Sequence, residues 1–278
     1  MINYDPKSWW GLIFKFHKSD TFRRLLPAMV SVALFDAAVA YAGIELWPNL
    51  LQGTTAFHTL LGFVISLLLV FRTNTAYERW WEGRQQWGAL TNASRNLALK
   101  LDARLPRGHP SRQAVATALS DYAATLRDHL RDLAPPPPGP IRHAPNAIAA
   151  RLFAEVEGLR RGGNLASEDV INLNAEMTAL TDICGACERI KKTPIPYSYS
   201  LFLKKFVFVY IVSMPFVFVA DFGYWTAPFA TFMFYVLASL EIIAEEVENP
   251  FGVDANDLPT DDMARNIAAN VQEILAGK

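Results

Sequence analysis

Residues 60–88 read LLGFVISLLLVFRTNTAYERWWEGRQQWG. An uncharged apolar helix passes here into a charged, Trp-rich one, with no proline and no turn between them. The stretch predicts a single rod that leaves a membrane and continues into water.

The apolar half of the rod has company. No Lys, Arg, Asp or Glu occurs between Glu45 and Arg72 or between Asp221 and Glu241, and only Asp36 interrupts the apolar run from Leu25 to Gly43. Crossing a hydrocarbon core takes about 20 mostly apolar residues. Four spans are therefore expected, at about 24–43, 54–72, 203–222 and 225–244. The third carries Lys204 and Lys205 at its start and Pro215 within it. Lysine can snorkel to the interface, and a membrane helix tolerates a proline.

Charge orients these spans. Lys15, Lys18, Arg23 and Arg24 precede the first, Arg72, Arg79 and Arg84 follow the second, and Lys191, Lys192, Lys204 and Lys205 precede the third. The connectors 44–53 and 221–226 contain no Lys or Arg. Positive residues stay on the cytoplasmic side, so both termini and the middle region are expected there and the connectors outside. The first span starts too late, and lacks the small-residue site, for a removable signal. A hydrophobic share of 51% with 18 Phe suits a partly embedded protein, and a formal charge of −1 without a basic stripe argues against nucleic acid.

Residues 73–200 read as soluble helix. Leu90, Leu97, Leu101 and Leu105 recur near helical spacing, as do Val115, Leu119, Tyr122, Leu126 and Leu130. The run APPPPGP at 134–140 predicts an extended surface loop. Helix resumes at 147–159, RRGGN makes a turn, and Ser167 is the expected N-cap of a helix over 168–192. TPIPYSYS at 193–200 and ENPFGVDANDLPTDD at 248–262 each break a helix. Nothing reads as a strand, no repeat is visible, and residues 1–278 are expected to form one unit with a helical region over about 73–200 plus 245–278.

Phe71-Arg72 with Asn74, Arg79-Trp80-Trp81-Glu82 with Trp87-Gly88, Pro194-Ile195-Pro196, and Asn249-Pro250-Phe251-Gly252 followed by Asp254 and Asp257 stand in this order. Together they resemble the bestrophin family in its bacterial branch, from Trp9-Trp10 to about Met263. The resemblance implies an all-α membrane protein, with four transmembrane helices continuous with a cytoplasmic helical bundle. It also implies a homopentamer around one central pore in the inner membrane of a bacterial cell, its second membrane helix lining a narrow neck. Eukaryotic members resemble calcium-activated anion channels, whereas the characterised bacterial type favours small monovalent cations such as sodium.

Phe63, Leu67 and Phe71 share one face of the second span and match the family's neck positions. Five copies would stack three apolar rings, a constriction that closes by dewetting; packing against a helix or lipid is the competing reading. Gly62, Ser66 and Thr59 flank the stripe and would admit close helix approach. The family commonly places a β-branched or aromatic residue at the middle ring, where this chain has Leu67. An apolar cytoplasmic aperture is implied near 168–192, with Ile183 the first candidate and Leu180 the second, ordinary core packing being the alternative.

At the outer end, His58 and Asp36 are expected at a vestibule. Asn249, Asp254 and Asp257 match part of the family's calcium clasp, with Glu246 nearby, but Ala255 and Asn256 replace two acids, so calcium gating is not expected. Cys184 and Cys187 have redox spacing but lie in a helical pattern, and cytoplasmic thiols stay reduced. His17, His58, His109, His129 and His143 show no ligand spacing. Trp80, Trp81 and Trp87 are expected to fill a seam, and Arg72, Glu78, Arg79, Glu82 and Arg84 to hold subunits in register. No nucleophile, base and orienting group form a set, so neither enzyme activity nor a cofactor is expected. The readings are a pentameric channel for monovalent cations, the same pore passing anions such as chloride, or a membrane scaffold or sensor without flux. The expected partners are other copies of the chain, the bilayer and the permeating ions.

Overall fold

The structure, a computed structural model, describes residues 20–47 and 55–276. The expected rod is one helix. Without proline to remove a hydrogen bond, α2 runs unbroken from Thr55 to Asp102, 48 residues and about 72 Å at 1.5 Å per residue. Before it come α1, Asp20–Tyr41, and a π-helical turn, Ala42–Leu46. After it come α3 (Pro110–Leu130), α4 (Ala144–Arg161), α5 (Ser167–Lys192), α6 (Tyr197–Phe222), α7 (Thr226–Glu248) and α8 (Thr260–Ala276). Among the described residues there is no strand.

The chain divides into two compact units, both of which contain part of α2. One comprises the described residues up to Glu78 together with Pro194–Glu248; the other comprises Arg79–Thr193 and the described residues from Asn249 onward.

In the first unit, α1, α6 and α7 accompany the N-terminal part of α2. Ile65 and Leu69 of α2 pack with Leu203, Val207, Tyr210, Ile211 and Met214 of α6 and with Ala230 and Leu237 of α7. Among the described residues three stretches are long and apolar enough to cross a membrane: Thr21–Leu46, Thr55–Asp102 and Tyr197–Glu248. The third folds back on itself. Gly223, at φ 54°, ends α6 in a conformation that suits glycine, a 3-10 turn follows, and Thr226 donates to the Phe218 carbonyl at 3.2 Å. At the far end Lys204 of α6 meets Glu245 of α7. The four expected spans therefore arrive as three apolar stretches, the last of them a hairpin.

The second unit closes on its own core. The helix-spaced Leu90, Leu97 and Leu101 of α2 pack with Val115, Leu119, Tyr122 and Leu126 of α3, with Leu152 and Val156 of α4, and with Leu173, Met177 and Leu180 of α5. Ile267, Val271 and Leu275 of α8 complete it. Buried Arg112 donates to the carbonyls of Leu275 and Leu105, both at 2.9 Å, so one guanidinium serves the C-terminal ends of two helices, α8 and α2. The proline run is irregular, as its fixed φ and missing N–H groups demand. Helix α4 starts three residues earlier than expected, at Ala144, with His143 as its cap, and the cap of α5 differs from expectation: Ala166 precedes it, Asp169 accepts the Ala166 N–H at 3.1 Å and Ser167 is already helical.

Candidate functional site

At 3.6 residues per turn the two sides of α2 separate cleanly. His58, Ile65, Leu69, Arg72 and Ala76 are buried in the chain. Phe63, Leu67 and Phe71 point away from them and are 67%, 47% and 55% exposed. A step of about 100° per residue carries the same side on to Asn74 and Glu78, and both are exposed. One helix side thus presents three apolar residues, then an amide, then a carboxylate. Gly62 admits the close helix approach expected of a small residue beside the stripe. A Cβ there would lie 2.8 Å from the Tyr210 hydroxyl, so the missing side chain lets α6 approach α2 within the chain.

Arg72 lies one residue beyond the stripe and turns inward. It is 1% exposed, 2.8 Å from Glu248 and 3.5 Å from Glu241. Glu248 also accepts the Ile195 N–H at 2.7 Å, which uses the Pro-Ile-Pro link to complete the arrangement. This corrects the expectation that Arg72 holds subunits in register, because a guanidinium buried between two carboxylates of its own chain is already engaged. Glu82 likewise pairs with Arg189 at 2.6 Å, and Arg79 donates to the carbonyls of Ile190 and Thr193, capping the end of α5. The tryptophans divide: Trp87 is fully buried, Trp80 donates to the Asn256 carbonyl at 3.0 Å, and Trp81 is exposed.

His58 and Asp36, expected at an outer vestibule, are enclosed by the chain instead. His58 stacks on Tyr210 with ring centres 4.1 Å apart and meets the edge of Phe218. Asp36 is fully buried, and among the described residues neither of its oxygens has a hydrogen-bond partner. Leu180 and Ile183 are also buried and belong to the core of their own unit, where the Leu180 carbonyl accepts the Tyr122 hydroxyl at 2.6 Å. Their apolar spacing is the inward side of α5, whereas the neighbouring Asp182 is exposed. Burial pushes the thiols of Cys184 and Cys187 up to about 12, so both stay protonated and unreactive.

The Asn-Pro-Phe-Gly turn is built as a plug. Phe251 is buried against Gly83, whose added Cβ would come within 3.2 Å of the Phe251 ring and of Pro250. Gly252 leaves room for the Asp257 carboxylate, which a Cβ would meet at 2.7 Å. That carboxylate accepts the Asp254 N–H at 2.6 Å, so buried Asp257 organises its own loop, while Asn249 and Asp254 are exposed. Glu246 pairs with Arg24 at 3.3 Å. Arg131, which no local pattern singled out, locks the turn: it donates to the Phe251 carbonyl, to Thr260 and to both oxygens of Asp261. These bonds from Arg131, with Arg127 beside it, hold the Asp261 carboxyl below its usual range.

A second cluster brings together two of the histidines that show no ligand spacing along the sequence. His129 and His143 each place Nε2 2.6 Å from the same Glu188 oxygen. The donor atoms of all three side chains lie within 4.8 Å of one another. Burial works to raise the Glu188 carboxyl, and the hydrogen bonds from His143 and His129 outweigh it, leaving it below the ordinary glutamate value. The partners are 59 and 45 residues away from Glu188 in sequence, so no local spacing could have revealed them.

Comparison with known proteins agrees with this architecture. The family model described as "Bacterial/Fungal Bestrophin protein" matches residues 1–273. A Synechocystis protein named voltage-dependent anion channel-forming protein sll1024 is 31% identical over 97% of this chain and 92% of its own. The similarly named YneE of Escherichia coli K12 is 31% identical over 99% of this chain and 94% of its own. Among solved structures, a bacterial bestrophin homologue from Klebsiella pneumoniae superimposes with a TM-score of 0.83 at 28% identity, covering 91% of this chain and 99% of that one. An all-helical chain with long apolar helices, the Asn-Pro-Phe-Gly plug seated on Gly83, and a match along nearly its whole length belongs to the bacterial and fungal bestrophin family.

Proposed function

We propose that the chain forms a homopentameric channel for small monovalent cations such as sodium, with Phe63, Leu67 and Phe71 as its neck. The observation that carries the reading is the side of α2 on which these three large apolar residues stay exposed in one chain and run directly into Asn74 and Glu78. Five such helices around an axis stack three apolar rings above an amide ring and a carboxylate ring. The apolar rings hold back water and ions until they widen, and the carboxylates concentrate cations at the mouth. The chain would cross a bacterial inner membrane four times, the α6–α7 hairpin supplying two crossings, with both termini cytoplasmic.

The names of the Synechocystis and E. coli relatives favour a second reading, an anion channel of the same architecture. Reconstitution of the purified protein in a bilayer under a potassium chloride gradient separates the two by the sign of the reversal potential. A reversal potential near the cation equilibrium value, moved toward zero by Glu78→Gln, supports the first. A value near that of chloride replaces it with the second, and absence of current leaves a scaffold or sensor.

A further inference from the structure

We propose that His129, His143 and Glu188 form a binding site for a zinc-type divalent transition-metal ion, separate from the neck. The three ligands come from three elements. His129 lies in the last turn of α3, His143 caps α4, and Glu188 lies in α5. Both imidazole Nε2 atoms converge on one carboxylate oxygen at 2.6 Å, and the rings sit 4.5 Å apart, tilted by 60°. The side chains keep 26%, 31% and 20% of their surface, so an ion has a way in and a water can take an open fourth position.

The donor set selects the ion. Two imidazoles and one carboxylate suit zinc and its neighbours, whereas calcium takes six to eight oxygens. Tetrahedral zinc with bonds of about 2.1 Å holds its donors about 3.4 Å apart. Each 2.6 Å His–Glu188 contact needs to lengthen by less than an ångström to reach that separation, a rotamer adjustment at a partly exposed site. One Glu188 oxygen faces both histidines and the other lies 3.6 Å from Lys192. One adjustment opposes binding. His143 Nδ1 accepts the Asn146 N–H at 3.3 Å, so metal at Nε2 moves the ring proton to Nδ1 and breaks that contact. It is the longest hydrogen bond at the site, and a metal–nitrogen bond outweighs it.

His129 and His143 also bracket the chain segment that contains the proline run. A bound ion would pin both ends of that connection to α5, restraining a segment that has no helix of its own. The site is independent of whether the pore conducts cations, anions or nothing.

The test uses the untagged full chain in detergent, stripped with chelator, and zinc chloride as the probe. Calorimetry is expected to find one high-affinity zinc per chain, and zinc to raise Tm until chelator is added. Cobalt is expected to give a tetrahedral visible spectrum. Glu188→Gln, which preserves shape, should weaken zinc by more than the roughly 10- to 100-fold that loss of an outer-shell partner costs, and His129→Ala with His143→Ala should remove the Tm shift. Wild-type protein without a zinc-dependent Tm shift overturns the proposal, as does unchanged affinity in Glu188→Gln. If the double variant fails to fold, Glu188→Gln and the cobalt spectrum still decide.

Discussion

Leu67 and Leu180 are the same residue at helix-spaced apolar positions, and the two units use them in opposite ways. Leu180 is fully buried in the core that α2, α3, α4, α5 and α8 build together, while Leu67 is 47% exposed. The contrast extends beyond the pair. Leu34, Phe63 and Phe208 of the first unit are each at least 67% exposed, whereas Leu97, Leu119 and Leu126 of the second have no exposed surface. An apolar stripe in a water-bathed unit is driven inward because exposure costs free energy. In a lipid-bathed unit that drive vanishes, and large side chains stay outside for lipid or for another copy. Polar groups invert the pattern. The first unit encloses Arg72, Glu241 and Asp36, and the second places most of its ion pairs at partly exposed positions.

The sharpest way to break this contrast is Arg72→Ala. It leaves Glu241 and Glu248 without their buried counter-charge, a loss worth about 3–5 kcal/mol, and is expected to lower the unfolding temperature in detergent steeply. A variant as stable as the parent would show that the two carboxylates are served otherwise. Next comes the leucine pair. Leu180→Ala removes a fully buried side chain and should destabilise by about 2–5 kcal/mol. Leu67→Ala should leave the stability of a single chain within about 0.5 kcal/mol yet raise conductance or open probability in bilayers. Equal stability losses, or bilayer currents equal to wild type, would remove the distinction between core and neck.

Gly83→Ala probes the plug within the second unit. The added methyl presses on Phe251 and Pro250 at 3.2 Å, and overpacking of this kind costs about 1–3 kcal/mol. Gly83→Ala with Phe251→Leu should recover part of the loss, and no recovery would place the strain elsewhere. The smallest expected effect is Asp261→Asn, about 1 kcal/mol for a partly exposed carboxylate held by Arg131. The folded carboxyl titrates below its usual range. Its contribution is therefore complete above the unfolded carboxylate value and disappears as pH falls through the folded one. The variant should be the less stable at neutral pH and converge with the parent in acid; parallel melting curves across that range would exclude the linkage.

Much of the fold was legible locally. An uninterrupted run from residue 55 to 102 contains nothing that ends a helix, and the breaks at Pro194, Pro196 and Asn249-Pro250 act through the chain itself, by fixed φ, absent donors and steric exclusion. The apolar stripe of Phe63, Leu67 and Phe71 needed only the helical period. Less was legible at the polar positions. Arg72 follows an apolar run and reads as a boundary marker, but its role is decided by Glu241 and Glu248 on another helix. Arg131 sits at the end of α3 with no feature of its own, yet it holds the turn more than 100 residues away.

What the sequence by itself determined is where helices run, where they stop, and which of their sides are apolar, because hydrogen bonding along a helix and the geometry of proline and glycine are local. Only the tertiary structure decided which apolar sides close on their own chain and which polar groups meet. Leu180 and Leu67 are alike until neighbouring helices cover one of them. His129, His143 and Glu188 are scattered until three helices bring their donor atoms within 4.8 Å. Contacts of that kind depend on how side chains fill the space between elements, a property of the packed chain that no stretch of residues carries alone.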